Sequence, residues 1–146
     1  MTLLETIKAL EGLASNQPSV NMIVQNDIFR LNTIPDAKYG VFGWVQQQHS
    51  VNDDVQVFSF ALFYVDRLTE DKSNEIEIQS VGVNTLENII KGMENLGLFP
   101  VSEWQISAFN QRFMDECAGV WASVRIAVPV NYTCEDNYSN KSVRIV

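Results

Sequence analysis

The stretch RFMDECAGVWASVRIAV, Arg112 to Val128, decides the fold, and at first sight it resembles a reactive centre as much as architecture. The alternation that begins at Gly119 favours architecture. Val120, Ala122, Val124, Ile126 and Val128 face one way, and Trp121, Ser123, Arg125 and Ala127 face the other, which is the period of a β-strand running to Val130. MDECAG reads as the turn leading into that strand, and Gly119 suits a bulge or a close backbone approach. Cys117 sits at the entrance. A catalytic thiol needs a base, a cation or a helix N-terminus beside it, whereas Asp115 and Glu116 disfavour the thiolate. The only histidine, His49, falls in a predicted hairpin turn. Cys117 is therefore expected to be a small, buried, structural residue.

Upstream, Tyr39 to Gln48 and Val55 to Asp66 read as two antiparallel strands joined by HSVNDD, in which Asp53 and Asp54 suit a turn. In VQVFSFALFYV, Phe58, Phe60, Leu62 and Tyr64 line one face and Val55, Val57, Ala61, Phe63 and Val65 the other. A strand that is apolar on both faces has to be covered on both, by its own chain or by another subunit.

Helices flank these strands in the sequence. Thr2 and Glu5 have capping-box spacing, and Leu3, Leu4, Ile7, Leu10 and Ala14 then form one stripe, so residues 2 to 15 are predicted to be an amphipathic helix that ends before Pro18. Val20 to Leu31 is a mixed stretch with room for one or two short strands. From Asp71 to Leu96, Ile76, Val83, Leu86, Ile90 and Met93, widened by Ile89 and Leu96, predict one long helix. An IEI strand at 76 to 78 ahead of a shorter helix is the alternative, because Gly82 and Gly92 weaken the helix. Gly97 and Pro100 supply stop signals. The acids in TEDKSNEIE, 69 to 77, suit a helix start better than a metal site.

The fold class is thus α+β, with a twisted, mainly antiparallel sheet, an N-terminal helix and a central helix packed against it, in one domain spanning 1–146. Folding at this length buries roughly 68–70% of the unfolded chain's surface, so the core needs no disulfide staples. Cys117 and Cys134 fit a reducing compartment, and no CxxC or Cys/His spacing suggests zinc. MTLLETIKALEGLASNQ lacks the basic and apolar runs of a secretion signal or a membrane span, so synthesis in the cytoplasm is expected. The net charge of -8, from 10 basic and 18 acidic side chains, repels phosphate backbones. No GxxxxGK[ST], GxSxG or HExxH occurs, and no catalytic residue, metal ligand or cofactor is expected.

Three segments carry a family resemblance: DIFRLNTIPDAKYGVF (27 to 42), FALFYVDRLTEDKSNEIEIQSVGVNTLENII (60 to 90) and FNQRFMDECAGVWASVRIAV (109 to 128). Together they resemble the tail terminator or tail completion family of tailed bacteriophages and of prophages in gut Bacteroides-type bacteria, including crAss-like phages. The resemblance covers most of the chain, with DRLT and CAGV its clearest segments.

It implies a virion protein that forms a ring at the neck, joining portal or connector to tail and lining the DNA passage. Its partners would be copies of itself, as a hexamer or a dodecamer, and other connector, portal or tail proteins. DNA would pass without specific binding, and no membrane is involved. On this reading Phe58, Phe60, Tyr64, Trp121 and Arg125 are the expected subunit contacts, and Asp53, Asp54, Glu70 and Asp71 the expected lumen-lining acids. Two alternatives stand beside it: a small phage-encoded module that binds a host protein, and a hydrolase with no recognisable motif.

Overall fold

A computed structural model describes residues 2–34, 36–52, 55–101, 103–112 and 115–129. The order of elements is α1 (Leu3–Ser15), β1 (Met22–Gln25), a 3₁₀ segment (Ile28–Thr33), β2 (Val41–Asn52), β3 (Val55–Arg67), α2 (Glu75–Asn95), β4 (Phe99–Pro100), β5 (Ile106–Arg112) and β6 (Glu116–Pro129). The architecture is α+β.

β3 lies at the centre of the sheet, whose order is β1-β2-β3-β6 with the far edge of β6 shared by β4 and β5. All pairs are antiparallel except β1 with β2. The β2–β3 hairpin runs further than HSVNDD suggests. After an irregularity between Gln46 and His49 the pairing resumes and continues to Asn52↔Val55, so HSVN belongs to the strand.

β6 also begins earlier than its alternation indicates. Glu116, Cys117 and Ala118 pair with Arg112, Gln111 and Asn110 on one side, and Cys117 and Ala118 with Arg67 and Asp66 on the other. ECAG is therefore strand, where a turn was expected. The acids at its start are compatible with pairing because Arg67 and Lys72 stand opposite them, with Arg67 Nη2 3.4 Å from Asp115 and Lys72 Nζ 3.6 Å from Glu116.

Both helices cover one face of the sheet. The β3 residues Phe58, Phe60, Leu62 and Tyr64 and the β6 residues Val120, Ala122, Val124, Ile126 and Val128 form the core beneath them, with Leu10 and Ala14 from α1 and Leu86, Ile89, Ile90 and Met93 from α2. Each large side chain so buried contributes about 1.5–3 kcal/mol.

The start of α1 carries the expected capping box. Thr2 Oγ1 accepts from the Glu5 backbone N–H at 3.2 Å, and Glu5 Oε2 accepts from the Thr2 N–H at 2.9 Å, an arrangement worth about 1 kcal/mol. Leu4 does not join the buried stripe. It is exposed, while Thr6 is buried, its hydroxyl satisfied by the Thr2 carbonyl at 2.9 Å.

α2 is a single long helix, and its start follows a turn in which Asn74 Oδ1 accepts from the Thr69 N–H. Leu86, Ile89, Ile90 and Met93 of the predicted stripe are buried, but its end members Ile76 and Leu96 are exposed, and Ile78, Gly82 and Thr85 complete the buried face. Gly82 is the contact point, since a Cβ there would meet the Val120 and Tyr64 side chains at 2.6 and 2.9 Å. Thr85 donates to the Val81 carbonyl at 2.7 Å, which leaves the Ser19 hydroxyl as the donor in the 2.6 Å bond to Thr85 Oγ1.

Residues 20 to 31 yield one strand and the 3₁₀ segment. Asp27 caps that segment by accepting from the Phe29 N–H at 2.9 Å, and Ile28 and Leu31, three residues apart, point inward. On the reverse face of the sheet they form a second cluster with Val24, Val41, Val65 and Cys117.

Candidate functional site

The reverse face is closed at one end and open at the other. The 3₁₀ segment covers the end near Val41, Val65 and Cys117, with Phe63 and Phe109 packed edge-on beside it at 6.3 Å. Toward the hairpin the same face presents Ser123 and Arg125 exposed and Trp121 37% exposed, with Val45 half-buried alongside.

The register explains how these residues come together. Phe63 lies beside Trp121, Ala61 beside Ser123, Ser59 beside Arg125 and Val57 beside Ala127. Phe99, 58% exposed, pairs with Ala127 and extends the patch to the β4 edge. Ser123 Oγ donates to Gln47 Oε1 at 2.9 Å across the face. The result is an aromatic and small-residue surface with one guanidinium in it, a composition that suits contact with another protein.

The five expected subunit contacts divide between the two faces. Trp121 and Arg125 belong to the open patch, whereas Phe58, Phe60 and Tyr64 are buried under the helices. That is a correction: alternate residues of a strand share a face, and the register sets Phe58, Phe60 and Tyr64 beside Ile126, Val124 and Val120 on the helix side, opposite Trp121 and Arg125. Phe99 is a neighbour on the open patch that sequence reading did not select, and Phe63 and Phe109 border that patch from the closed end. The odd-numbered residues of β3 were the available signal.

Of the expected lumen acids, Asp53 and Asp54 lie outside the described residues. Glu70 and Asp71 are exposed in the turn after β3. Asp71 Oδ1 accepts from Thr69 Oγ1 at 2.7 Å, Ser73 Oγ at 2.9 Å and the Ser73 N–H at 3.1 Å, bonds that hold its pKa below the ordinary value, the Thr69 bond most of all. Its carboxylate builds the turn before α2.

Cys117 is 1% exposed, and burial first, then the Asp115 charge, pushes its thiol up to about 11. Tyr39 Oη lies against the same corner and donates to Asp115 Oδ2 at 2.7 Å. Burial and then this bond raise the pKa of Tyr39. His49 is far away, bonded to Gln56 at 3.1 Å. It pairs with Phe58, while Cys117 pairs with Arg67, nine positions along β3, roughly 30 Å at about 3.4 Å per residue. A Cys–His dyad is excluded by that separation.

Raised acidic groups hold their protons in the folded chain at a pH where the unfolded chain loses them, so their stabilisation is present below the unfolded pKa and lost above it. For Cys117 that window runs from its ordinary 9.0 to about 11, and for Tyr64, raised chiefly by burial, from 10.0 to about 12. The unfolding midpoint is therefore expected to fall as pH rises from 9 to 11, and Cys117→Ala to flatten that decline. An unchanged slope in the variant, measured by circular dichroism, would leave the thiol without this role.

Among the described residues, no cluster of three or more His, Cys, Asp or Glu is placed to hold a metal ion, and no helix is long and apolar enough to cross a membrane. Neither models of known protein families nor curated protein sequences match this chain.

Proposed function

We propose that the chain is a structural subunit that closes a ring with copies of itself at the neck of a tailed phage virion, joining portal or connector to tail. The observation that carries this reading is the open half of the reverse face, where Trp121, Phe99 and Arg125 lie exposed on a sheet whose other face packs beneath the two helices. Such a patch, set against a different patch on the next copy, is the heterologous contact from which rings are built. A thiol held protonated by burial speaks against nucleophilic chemistry at Cys117. The charge of -8 suits a wall past which DNA slides without adhering.

The test is incorporation. Trp121→Glu combined with Arg125→Glu is expected to reduce the copies of the protein per virion by at least about 10-fold, scored by quantitative immunoblotting. Circular dichroism should show the purified variant folded. Normal incorporation would remove this patch from the interface. A virion density map lacking the protein at the neck would remove the ring reading altogether.

A further inference from the structure

The opposite edge of the sheet is also unoccupied. Among the described residues β1 pairs only with β2, so outward-facing backbone groups of Met22–Gln25 have no strand partner. The strand MIVQ is short, four residues, but carries neither a charge nor a proline to discourage pairing at its edge.

A trough follows this edge. It begins between Ser15 and Met22, continues past Ile23 and Val24, and opens into a cleft of about 560 Å³. Ile23 is shared by its first two parts, and Glu11, Gln25 and Arg30 by the last two.

The cleft has an apolar lining from Leu4, Ile7 and Trp44 and two cations, Lys8 and Arg30. Glu11 is already engaged, its two carboxylate oxygens accepting from Gln25 Nε2 at 2.9 and 3.0 Å. Arg30 Nη1 donates to the Gln25 carbonyl at 3.3 Å, which brings the guanidinium to the end of the strand. Trp44 is 6% exposed, and its indole N–H has no acceptor among the described residues. A buried donor without a partner is rare, and an occupant that brings an acceptor would satisfy it.

We propose that β1 takes an extended acidic segment of a partner protein as an added strand, with a carboxylate of that segment seated between Lys8 and Arg30 over Trp44. In this mode main-chain bonds supply affinity, and pockets for alternate side chains supply specificity. Lys8 and Arg30 outnumber the engaged Glu11 in the lining, and this local excess of positive charge, on a chain whose net charge of -8 otherwise repels anions, selects an acidic segment over a basic one. The edge lies across the sheet from β4 and β5, so its occupation does not depend on the Trp121 patch.

The probe is a fluorescein-labelled peptide of about six residues alternating valine and glutamate, titrated with the full chain and followed by anisotropy and by backbone amide shifts. Saturable binding is expected, with the largest shifts at Met22–Gln25. Lys8→Glu with Arg30→Glu should weaken binding by at least about 10-fold. Trp44→Phe, which keeps an aromatic ring and removes the donor, should weaken it about 3- to 10-fold. Unfolding midpoints of the variants separate lost binding from lost folding. The proposal is overturned if a lysine-for-glutamate probe binds equally well, if the shifts fall elsewhere, or if nothing binds at about 1 mM probe. It is also overturned if the same amides shift with protein concentration alone, which would assign the edge to a second copy.

Discussion

Gly119→Ala is expected to destabilise the fold by about 3 kcal/mol, the upper end of the usual cost of overpacking. Gly119 pairs with Val65 in the middle of the sheet, and a Cβ on it would strike the Tyr64 carbonyl oxygen while lying 3.1 Å from the Phe109 ring. A side chain can rotate away from such a collision, but a carbonyl in a central strand cannot. β3 is held on both sides, by β2 and by β6, so moving the Tyr64 peptide breaks ladder bonds in two directions. Gly12 supplies the control: it is exposed on α1 with nothing within 4 Å of an added Cβ, and Gly12→Ala should raise stability by about 0.5–1 kcal/mol. Urea unfolding followed by circular dichroism measures both. If Gly119→Ala unfolds at the wild-type urea concentration, β6 does not approach β3 as described.

What the sequence made legible follows the size of the repeating signal. The doubly apolar run of β3 and the alternation of β6 make both elements and the two faces of β6 legible, while their pairing with each other is a tertiary fact. The close approach at Gly119 was legible in kind, since glycine within a strand pattern marks one, but its partner Tyr64 is a tertiary fact. The face of α2 was read in part: Leu86, Ile89, Ile90 and Met93 are buried as predicted, but the ends of the stripe were misplaced because a periodicity argument weights large apolar residues. The helix meets the sheet through Gly82 and Thr85, while Ile76 remains in solvent. The stretch from 97 to 112 carries too little alternation to announce β4 and β5, which exist because β6 has a long second edge to fill. For the patch, both faces of β3 were seen to be apolar. Only the fold shows that the helices take the Phe60 face and leave part of the Ala61 face open.

Ile126→Ala should cost about 2–5 kcal/mol in the isolated chain, and Arg125→Ala no more than about 0.5 kcal/mol, although the two residues are adjacent in sequence and in the same strand. Ile126 is 1% exposed, stands beside Phe58 and Pro100 in the ladders on either side, and belongs to the cluster beneath the helices. Truncating it removes three carbons from a site whose walls are fixed by the sheet, so the loss combines transfer energy with an unfilled cavity. Arg125 faces the other way into solvent, beside Ser59, and its truncation leaves the core untouched. Equilibrium unfolding of the two purified variants decides the register: a larger loss for Arg125 would mean that the strand is rotated by one residue. The same pair separates folding from assembly. If the Trp121 patch joins subunits, Arg125→Ala should lower incorporation into particles while barely changing the unfolding midpoint, because an interfacial guanidinium acts only once its partner surface is present. Ile126→Ala should instead lower incorporation only in proportion to the folded protein that survives.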